Sequence, residues 1–238
     1  MNIRDVLIKG TEKFGIKLSD DQIDKLMHYA ELLNYFNEIT NITSISDEKE
    51  IVIKHFLDSL IPISFESLKN KKIIDIGSGA GLPGIPIKIF YGNEIEITML
   101  DSSMKKSSIL KKICEKFELD NIEIINKTAE ELGRIDFYRE KFDAALIRAV
   151  GSISTIIEYS IPLLTISGHA ILYKGPNVDK EVENSKNAEE ILKSEIIKNI
   201  EFIIPFSDYK RRIIIVEKKG ETNNLYPRRP GVPRKRPL

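Results

Sequence analysis

The most informative stretch of this sequence extends from Ile73 to Gly84 and is composed of IIDIGSGAGLPG. A short β-branched run leads into a loop with glycine at alternating positions, Gly77, Gly79 and Gly81. Glycine lacks a Cβ atom, so its backbone can adopt positive φ and a ligand can lie directly against it. The pattern therefore predicts a buried strand followed by a nucleotide-type pocket.

The glycines alone leave the choice of cofactor open, because residues 79–84 also satisfy the G-x-G-x-x-G pattern of dinucleotide-binding loops. Asp75 favours S-adenosylmethionine, since a carboxylate attracts its ammonium group, directly or through water, and repels the pyrophosphate of NAD. Asp101 closes the next predicted strand and can accept hydrogen bonds from both hydroxyls of a ribose; helix capping is the alternative. The expected cofactor site includes Asp75, Gly77, Gly79 and Asp101.

Outward from this loop, short β-branched runs alternate with helical patterns. The predicted strands are 73–76, 95–100, 122–125, 142–147, 170–173, 201–204 and 213–217, and helices are expected near 84–91, 103–118, 152–164 and 179–198. Such alternation requires parallel strands with right-handed crossovers. Only the last two runs lack an intervening helix, so they should form an antiparallel hairpin. The predicted fold is α/β: a doubly wound, mostly parallel seven-stranded sheet of the class I methyltransferase, Rossmann-like type.

The first seventy residues predict a helical segment in front of this sheet. Residues 19–22 (SDDQ) form a capping box, and apolar residues follow at helical spacing up to residue 36. A second helix is expected over 47–60, before Pro62. The predicted organisation is a helical N-terminal segment (1–70), an S-adenosylmethionine-binding methyltransferase domain (71–220) and a basic, proline-rich tail (221–238).

The net charge is zero but unevenly distributed. The last thirty residues carry ten Lys or Arg against two acids, a net charge of +8, which leaves −8 for the preceding 208 residues. A local basic footprint favours one polyanion contact site. We expect the tail to serve RNA and not the cofactor, its prolines holding it extended along phosphates; a disordered end is the alternative. The expected RNA-binding residues are Arg228, Arg229, Arg234, Lys235 and Arg236.

Other features exclude several classes of protein. Neither a signal peptide nor a transmembrane stretch is evident, and Cys114 is the only cysteine, so an internal disulfide is excluded. His55 and Asp58 share a predicted helix face, but no third ligand has suitable spacing, which favours a structural or substrate-facing pair over a metal site. We expect a cytoplasmic monomer with no metal and no membrane contact.

Taken together, several separated motifs resemble the ribosomal RNA small subunit methyltransferase G family, also called glucose-inhibited division protein B. The resemblance covers almost the whole chain. It is carried by Asn41-Ile42-Thr43, His55 to Leu60, Asp75 to Pro86, Leu100-Asp101-Ser102, Ala129-Glu130, Arg148-Ala149, Lys174-Gly175 and Tyr226-Pro227-Arg228.

The resemblance implies methyl transfer from S-adenosylmethionine to N7 of one guanine, position 527 in the 530 loop of bacterial 16S rRNA, free or in the small ribosomal subunit. It implies cofactor contacts by Gly77, Leu82, Ala129, Glu130 and Arg148; for Arg148 an ion pair with a pocket acid is the alternative. Guanine N7 has a lone pair and no proton, so no catalytic base is expected. A methyltransferase of another substrate and a non-catalytic RNA-binding module remain alternatives.

Overall fold

The computed structural model describes residues 1–40 and 45–238, and within them a seven-stranded sheet has the order β3-β2-β1-β4-β5-β7-β6. The strands are β1 (Lys72–Ile76), β2 (Glu96–Leu100), β3 (Ile122–Ile125), β4 (Phe142–Arg148), β5 (Leu164–Lys174), β6 (Ser194–Ile203) and β7 (Lys210–Lys218). Strands β1 to β5 pair in parallel, and β7 pairs antiparallel with both β5 and β6. The predicted mostly parallel sheet with a final antiparallel hairpin is confirmed.

Helices cover both faces of this sheet, as the doubly wound prediction requires. They are α1 (Ile3–Glu12), α2 (Asp20–Thr40), α3 (Glu48–Ile51), α4 (Asp58–Leu60), α5 (Gly84–Tyr91), α6 (Met104–Lys116), α7 (Ala129–Leu132), α8 (Ile153–Ser160), α9 (Asp179–Asn184), α10 (Lys186–Ile191) and α11 (Val232–Lys235). A π-helical turn (Val52–Leu57) joins α3 to α4, and 3-10 turns occur at Ile61–Ser64, Gly92–Glu94 and Ile161–Leu163. None of these helices in the described part of the chain is long and apolar enough to cross a bilayer.

The N-terminal helices complete one face of the sheet. The capping box that begins α2 is present: the Gln22 N–H donates to Ser19 Oγ at 3.2 Å, and the Ser19 N–H donates to Gln22 Oε1 at 2.8 Å. Leu26 of α2 belongs to the same buried cluster as Ile73 of β1 and Ile97 of β2. Burial of this continuous apolar surface is what joins the segment to the sheet.

The predicted helix over 179–198 is wrong at its end. Helix α10 stops at Ile191, and β6 begins at Ser194. Ile196 pairs with Val216 of β7 in an antiparallel register. Cross-strand pairing with a buried neighbour therefore outweighs the local helical pattern at 194–198.

The expectation that the tail is extended is also wrong. It contains the helical turn α11, whose proline lies in the first turn, where its missing N–H costs no hydrogen bond. Tyr226 and Leu238 pack against the apolar cluster on the α8 side of the sheet. The Arg139 guanidinium donates to the carbonyl oxygens of Thr222 at 2.9 Å and of Tyr226 at 2.8 Å. These contacts fix the tail to the domain.

Candidate active site

Two cavities open at the carboxyl ends of the parallel strands, where open α/β sheets bind ligands. The glycine-loop cavity, of about 290 Å³, lies over β1, β2 and β3 and is lined by Gly77, Asp101, Ala129, Glu130 and Arg234 among others. The arginine cavity, of about 620 Å³, lies over β4 and β5 and is lined by His55, Asp58, Arg148, Lys174 and Arg211 among others. The segment 148–151, which begins with the last residue of β4, contributes residues to both cavities.

The glycine loop needs glycine at Gly77 for two reasons. Its φ is +78°, in the left-handed region, and a Cβ atom there would lie 2.8 Å from Cγ2 of Val150. The Gly79 N–H donates to Asp101 Oδ2 at 2.9 Å. The loop is therefore held by the acid at the end of the neighbouring strand.

Asp101 lies on the wall of the glycine-loop cavity and is 9% exposed. Its Oδ1 accepts from the Ser103 N–H at 2.8 Å. Ser103, and not Asp101, is the N-cap of α6, so the capping alternative does not apply. A carboxylate offers about four acceptor positions, and the two backbone bonds leave acceptor capacity for the hydroxyls of a ribose.

Asp75 lies beneath the loop and not on a cavity wall. It is fully buried; Oδ2 accepts from the Gly84 N–H at 3.0 Å, and Oδ1 accepts no hydrogen bond from residues 1–40 or 45–238. Burial raises the pKa of this carboxyl to about 7. Asp75 is therefore not positioned for direct contact with a cofactor, and its role in attracting an ammonium group stays a prediction.

The remaining predicted cofactor contacts separate into two groups. Ala129 and Glu130 line the glycine-loop cavity at the start of α7, which begins with a capping box between Thr128 and Glu131. Leu82 is 7% exposed, packs in the apolar core and lines neither cavity. The implied contact of Leu82 therefore lacks support in this geometry.

The tail supplies residues that the sequence analysis did not place at the site. Gly231 and Arg234 line the glycine-loop cavity, and the Gly231 N–H donates to Glu130 Oε1 at 2.8 Å. The Arg228 guanidinium pairs with Glu158, with Nη2 to Oε2 at 2.6 Å. Because Glu158 is fully buried, releasing Arg228 to a phosphate would leave the Glu158 carboxylate buried without its partner. This geometry does not favour the expected RNA contact of Arg228, which stays a prediction.

Asp58 lies between two arginines in the arginine cavity. Arg148 Nη1 donates to Asp58 Oδ2 at 3.2 Å, and Arg211 Nε donates to Asp58 Oδ1 at 3.0 Å. Asp58 is 4% exposed, so its charge is balanced in place by these cations. The ion-pair alternative for Arg148 is therefore the arrangement observed, and the three side chains together carry a single positive charge.

The backbone on both sides of this cavity departs from regular geometry. The π-helical turn carries His55, and π-turns recur at functional sites. Ala149, directly after Arg148, has φ +59°, which is costly for a residue with a Cβ atom and marks a position held by its surroundings. The sequence offered no signal for either feature beyond the Arg148-Ala149 motif.

His55 is uncharged at neutral pH. Burial, and then the charge of Arg148, lowers its pKa to about 4. Within residues 1–40 and 45–238, no group of three or more His, Cys, Asp or Glu is arranged to hold a metal ion. His55 and Asp58 do share one cavity wall, as the substrate-facing interpretation of the pair expects.

Asn41, Ile42 and Thr43 carry part of the resemblance but lie outside the described residues. The rest of the N-terminal segment reaches the glycine loop through Tyr29, whose hydroxyl donates to the Ala80 carbonyl at 2.6 Å. Tyr29 is fully buried and stacks on Phe56, with ring centroids 5.5 Å apart. This contact could not be predicted from the sequence, because a tyrosine at helical spacing is indistinguishable from an ordinary core residue.

A family model described as rRNA small subunit methyltransferase G matches residues 22–206. The chain belongs to this family. A relative named ribosomal RNA small subunit methyltransferase G from Acetivibrio thermocellus is 42% identical over 100% of this chain and 98% of its own length. Another of that name from Alkaliphilus metalliredigens is 36% identical over the full length of both. The family resemblance found in the motifs is confirmed.

Solved structures support the fold. A SAM-dependent methyltransferase from Aquifex aeolicus matches with a TM-score of 0.57 and 13% identity, covering 75% of this chain and 97% of that one. Fibrillarin from Aeropyrum pernix, crystallised with natively bound S-adenosyl-L-methionine, matches with a TM-score of 0.51 and 12% identity, covering 62% of this chain and 66% of that one. At such identities the likeness establishes the class I methyltransferase fold alone.

Proposed function

We propose that this protein transfers a methyl group from S-adenosylmethionine to N7 of a single guanine, position 527 in the 530 loop of bacterial 16S rRNA, and that it acts as a monomer. The observation that carries the proposal is the pair of cavities that meet at residues 148–151. One cavity has the features of a cofactor site, and the other is lined by hydrogen-bond donors suited to a nucleobase. The family to which the chain belongs names the class of acceptor.

The glycine-loop cavity fits S-adenosylmethionine in its donor and acceptor set. Asp101 has acceptor capacity for a ribose diol, and Gly77 gives a wall without a Cβ atom. Asp75, with one buried oxygen lacking a partner among the described residues, supplies a carboxyl beneath the loop that favours a nearby ammonium group. The bound cofactor supplies an electrophilic methyl group.

The arginine cavity suits a guanine presented by its major-groove edge. That edge carries O6 and N7 as acceptors. Asp58 holds Arg148 and Arg211, and guanidinium N–H groups that remain unused can donate to O6 and orient the base. N7 needs no base to remove a proton, so neutral His55 is not required as a proton carrier. Catalysis then consists of positioning and exclusion of water, which supplies up to about 7–11 kcal/mol in ideal geometry.

The test combines cofactor binding with mapping of the product. We expect the protein to bind S-adenosylhomocysteine, to transfer label from S-adenosylmethionine to 16S rRNA or the small subunit, and to make the RNA cleavable by borohydride and aniline at one guanine. Asp101→Asn should weaken cofactor binding by about 1–3 kcal/mol, whereas exposed Asp208→Asn should not. Label on a ribose oxygen or on adenine would refute N7 transfer, and equal binding by both variants would remove Asp101 from the site.

A further inference from the structure

The C-terminal strap, residues 226–236, closes one side of the glycine-loop cavity. Gly231 and Arg234 line this cavity together with Ala129 and Glu130. We propose that the strap is part of the cofactor site: Gly231 and Arg234 form the wall next to Ala129 and Glu130, and the ion pair of Arg228 with Glu158 holds that wall in place. The inference rests on the proposed function, in which this cavity binds S-adenosylmethionine.

The strap is joined to the cavity by specific hydrogen bonds. Glu130, 4% exposed, accepts from the Gly231 N–H at 2.8 Å. On the other side of α11, the Thr155 hydroxyl of α8 donates to the Pro233 carbonyl at 3.2 Å. Gly231 has φ +80°, which lets the chain turn into α11 at the cavity rim. Two elements of the domain thus fix the backbone of the strap beside the cavity.

The strap is anchored at Arg228, three residues before Gly231. Glu158 is fully buried and accepts from the backbone N–H of Arg228 at 2.8 Å and from its guanidinium at 2.6 and 2.9 Å. Arg228 Nη2 also donates to the Arg236 carbonyl at 2.8 Å, which closes residues 228–236 into a loop. Lifting the strap would leave a carboxylate buried without its partner, so the closed position is favoured.

The position of Arg234 gives the wall a chemical role. Within the described residues, no ion pair engages its side chain, and it faces a cavity that also contains Asp101 and Glu130. A planar guanidinium stacks well on the face of an aromatic ring. The adenine ring of the cofactor is such a surface, and we place it beside Ala129 and Glu130 because these residues line the same cavity as Asp101, the proposed ribose acceptor. The strap therefore retains the cofactor on its adenine side, contrary to the expectation that the tail serves RNA alone.

Calorimetry with S-adenosylhomocysteine on the full chain tests whether the strap contributes to cofactor binding. Arg234→Ala, a change at an exposed side chain, should weaken binding about tenfold, and Glu158→Gln should weaken it comparably by loosening the anchor. Arg229→Ala is the matched control, because Arg229 is an exposed strap arginine that lines neither cavity. Unchanged affinity in Arg234→Ala and Glu158→Gln would overturn the proposed role of the strap but not the proposed function. Absence of binding by the unmodified chain would overturn the proposed function and the inference with it.

A second measurement uses the unmodified chain and so does not depend on how variants fold. Trypsin can cut after Arg228, Arg234 and Lys235, and each cut requires the strap to leave its closed position. A ligand that binds only the closed form lowers the open population by mass action. Saturating S-adenosylhomocysteine should therefore slow the release of the strap peptides, followed by mass spectrometry, at least tenfold. Equal release rates with and without the ligand would contradict a strap that closes the cofactor site.

Discussion

Tyr29 connects the N-terminal segment to the glycine loop through its hydrogen bond to the Ala80 carbonyl. In Tyr29→Phe the ring keeps its stack on Phe56, but the buried carbonyl loses its donor. We expect this variant to lose about 1–3 kcal/mol of unfolding free energy and to bind S-adenosylhomocysteine more weakly, because the loop is no longer fixed. Urea denaturation and calorimetry measure the two effects.

The control is Tyr35→Phe, on the same helix. Tyr35 is 57% exposed and lines neither cavity. Its loss should change the unfolding free energy by less than about 0.5 kcal/mol. Equal stability and equal affinity in the Tyr29 and Tyr35 variants would mean that the Ala80 contact does not position the loop.

We expect Asp75 to make cofactor binding sensitive to pH. With a pKa of about 7, its carboxyl is partly protonated at neutral pH when the site holds no cofactor. An ammonium group nearby favours the ionised form, so binding should release about half a proton at pH 7, and affinity should rise from pH 6 to pH 8. Calorimetry of S-adenosylhomocysteine in phosphate and Tris, whose ionisation enthalpies differ, measures the released protons.

Asp75→Asn provides the matched comparison, since the amide keeps an acceptor for the Gly84 N–H but cannot ionise. This variant should release no proton at that site, and its affinity should be flat over the same pH range. The same heat of binding in both buffers for the unmodified chain would show that Asp75 does not change its protonation when the cofactor binds.

Among the connections between elements, Glu66 joins the end of the helical segment to the sheet. Its Oε1 lies 3.2 Å from Lys71 Nζ and 2.9 Å from His169 Nδ1, and its Oε2 lies 3.2 Å from Lys198 Nζ. Burial opposes ionisation, but the hydrogen bonds from His169 and Lys198 outweigh it and hold the pKa of Glu66 below its usual value. The carboxylate therefore stabilises the fold at neutral pH.

We expect Glu66→Gln to lower the unfolding free energy by about 1–3 kcal/mol at pH 7. A depressed pKa gives stability that is present above the unfolded-state value and lost as pH falls through the folded-state value, so the difference from the unmodified chain should vanish in acid. Denaturant titrations from pH 3 to pH 7 follow this. Glu94→Gln, which breaks an exposed pair with Lys69, is the control and should cost less than about 1 kcal/mol.

Local sequence patterns were sufficient to predict those elements in which the spacing of the apolar residues matches the positions that are buried. The strand and loop at 73–84 and the helix at 84–91 are found where the sequence predicts them, because buried strands and capped helices leave clear periodic signals. Asp101 could be placed at a cavity because it closes a predicted strand, whereas Ala129 and Glu130 were implied by the family resemblance. The structure of residues 194–198 and of the tail could not be predicted from local patterns, because contacts with partners distant in sequence determine it.

At the scale of the whole molecule, ion pairs in the folded structure offset about half of the basic excess of the last thirty residues. Five of the ten cations of the last thirty residues pair with acids, as in Arg211 with Asp58, Arg228 with Glu158 and Lys218 with Glu140. Because these acids balance their charges, such cations are not counted as phosphate contacts. Within residues 1–40 and 45–238, no ion pair engages the remaining strap cations, which are exposed: Arg229, Arg234, Lys235 and Arg236.

The phosphate contacts of the RNA should therefore be concentrated at the exposed strap cations that do not line the glycine-loop cavity, Arg229, Lys235 and Arg236. Replacing Arg229, Lys235 and Arg236 together with alanine should weaken binding to a 530-loop fragment of 16S rRNA and reduce the slope of log affinity against log salt by about 2–3, at 0.7–0.9 per lost phosphate contact. None of the three lines the glycine-loop cavity, so S-adenosylhomocysteine affinity should persist and report that the variant is folded. The control replaces three exposed cations of α6 (Lys105, Lys106, Lys112), whose loss should leave the slope unchanged because they form a solvated helix face. Parallel salt plots for the strap variant and the unmodified chain would mean that the phosphates contact another surface, and the two lysines and two arginines that line the arginine cavity would be the next to replace.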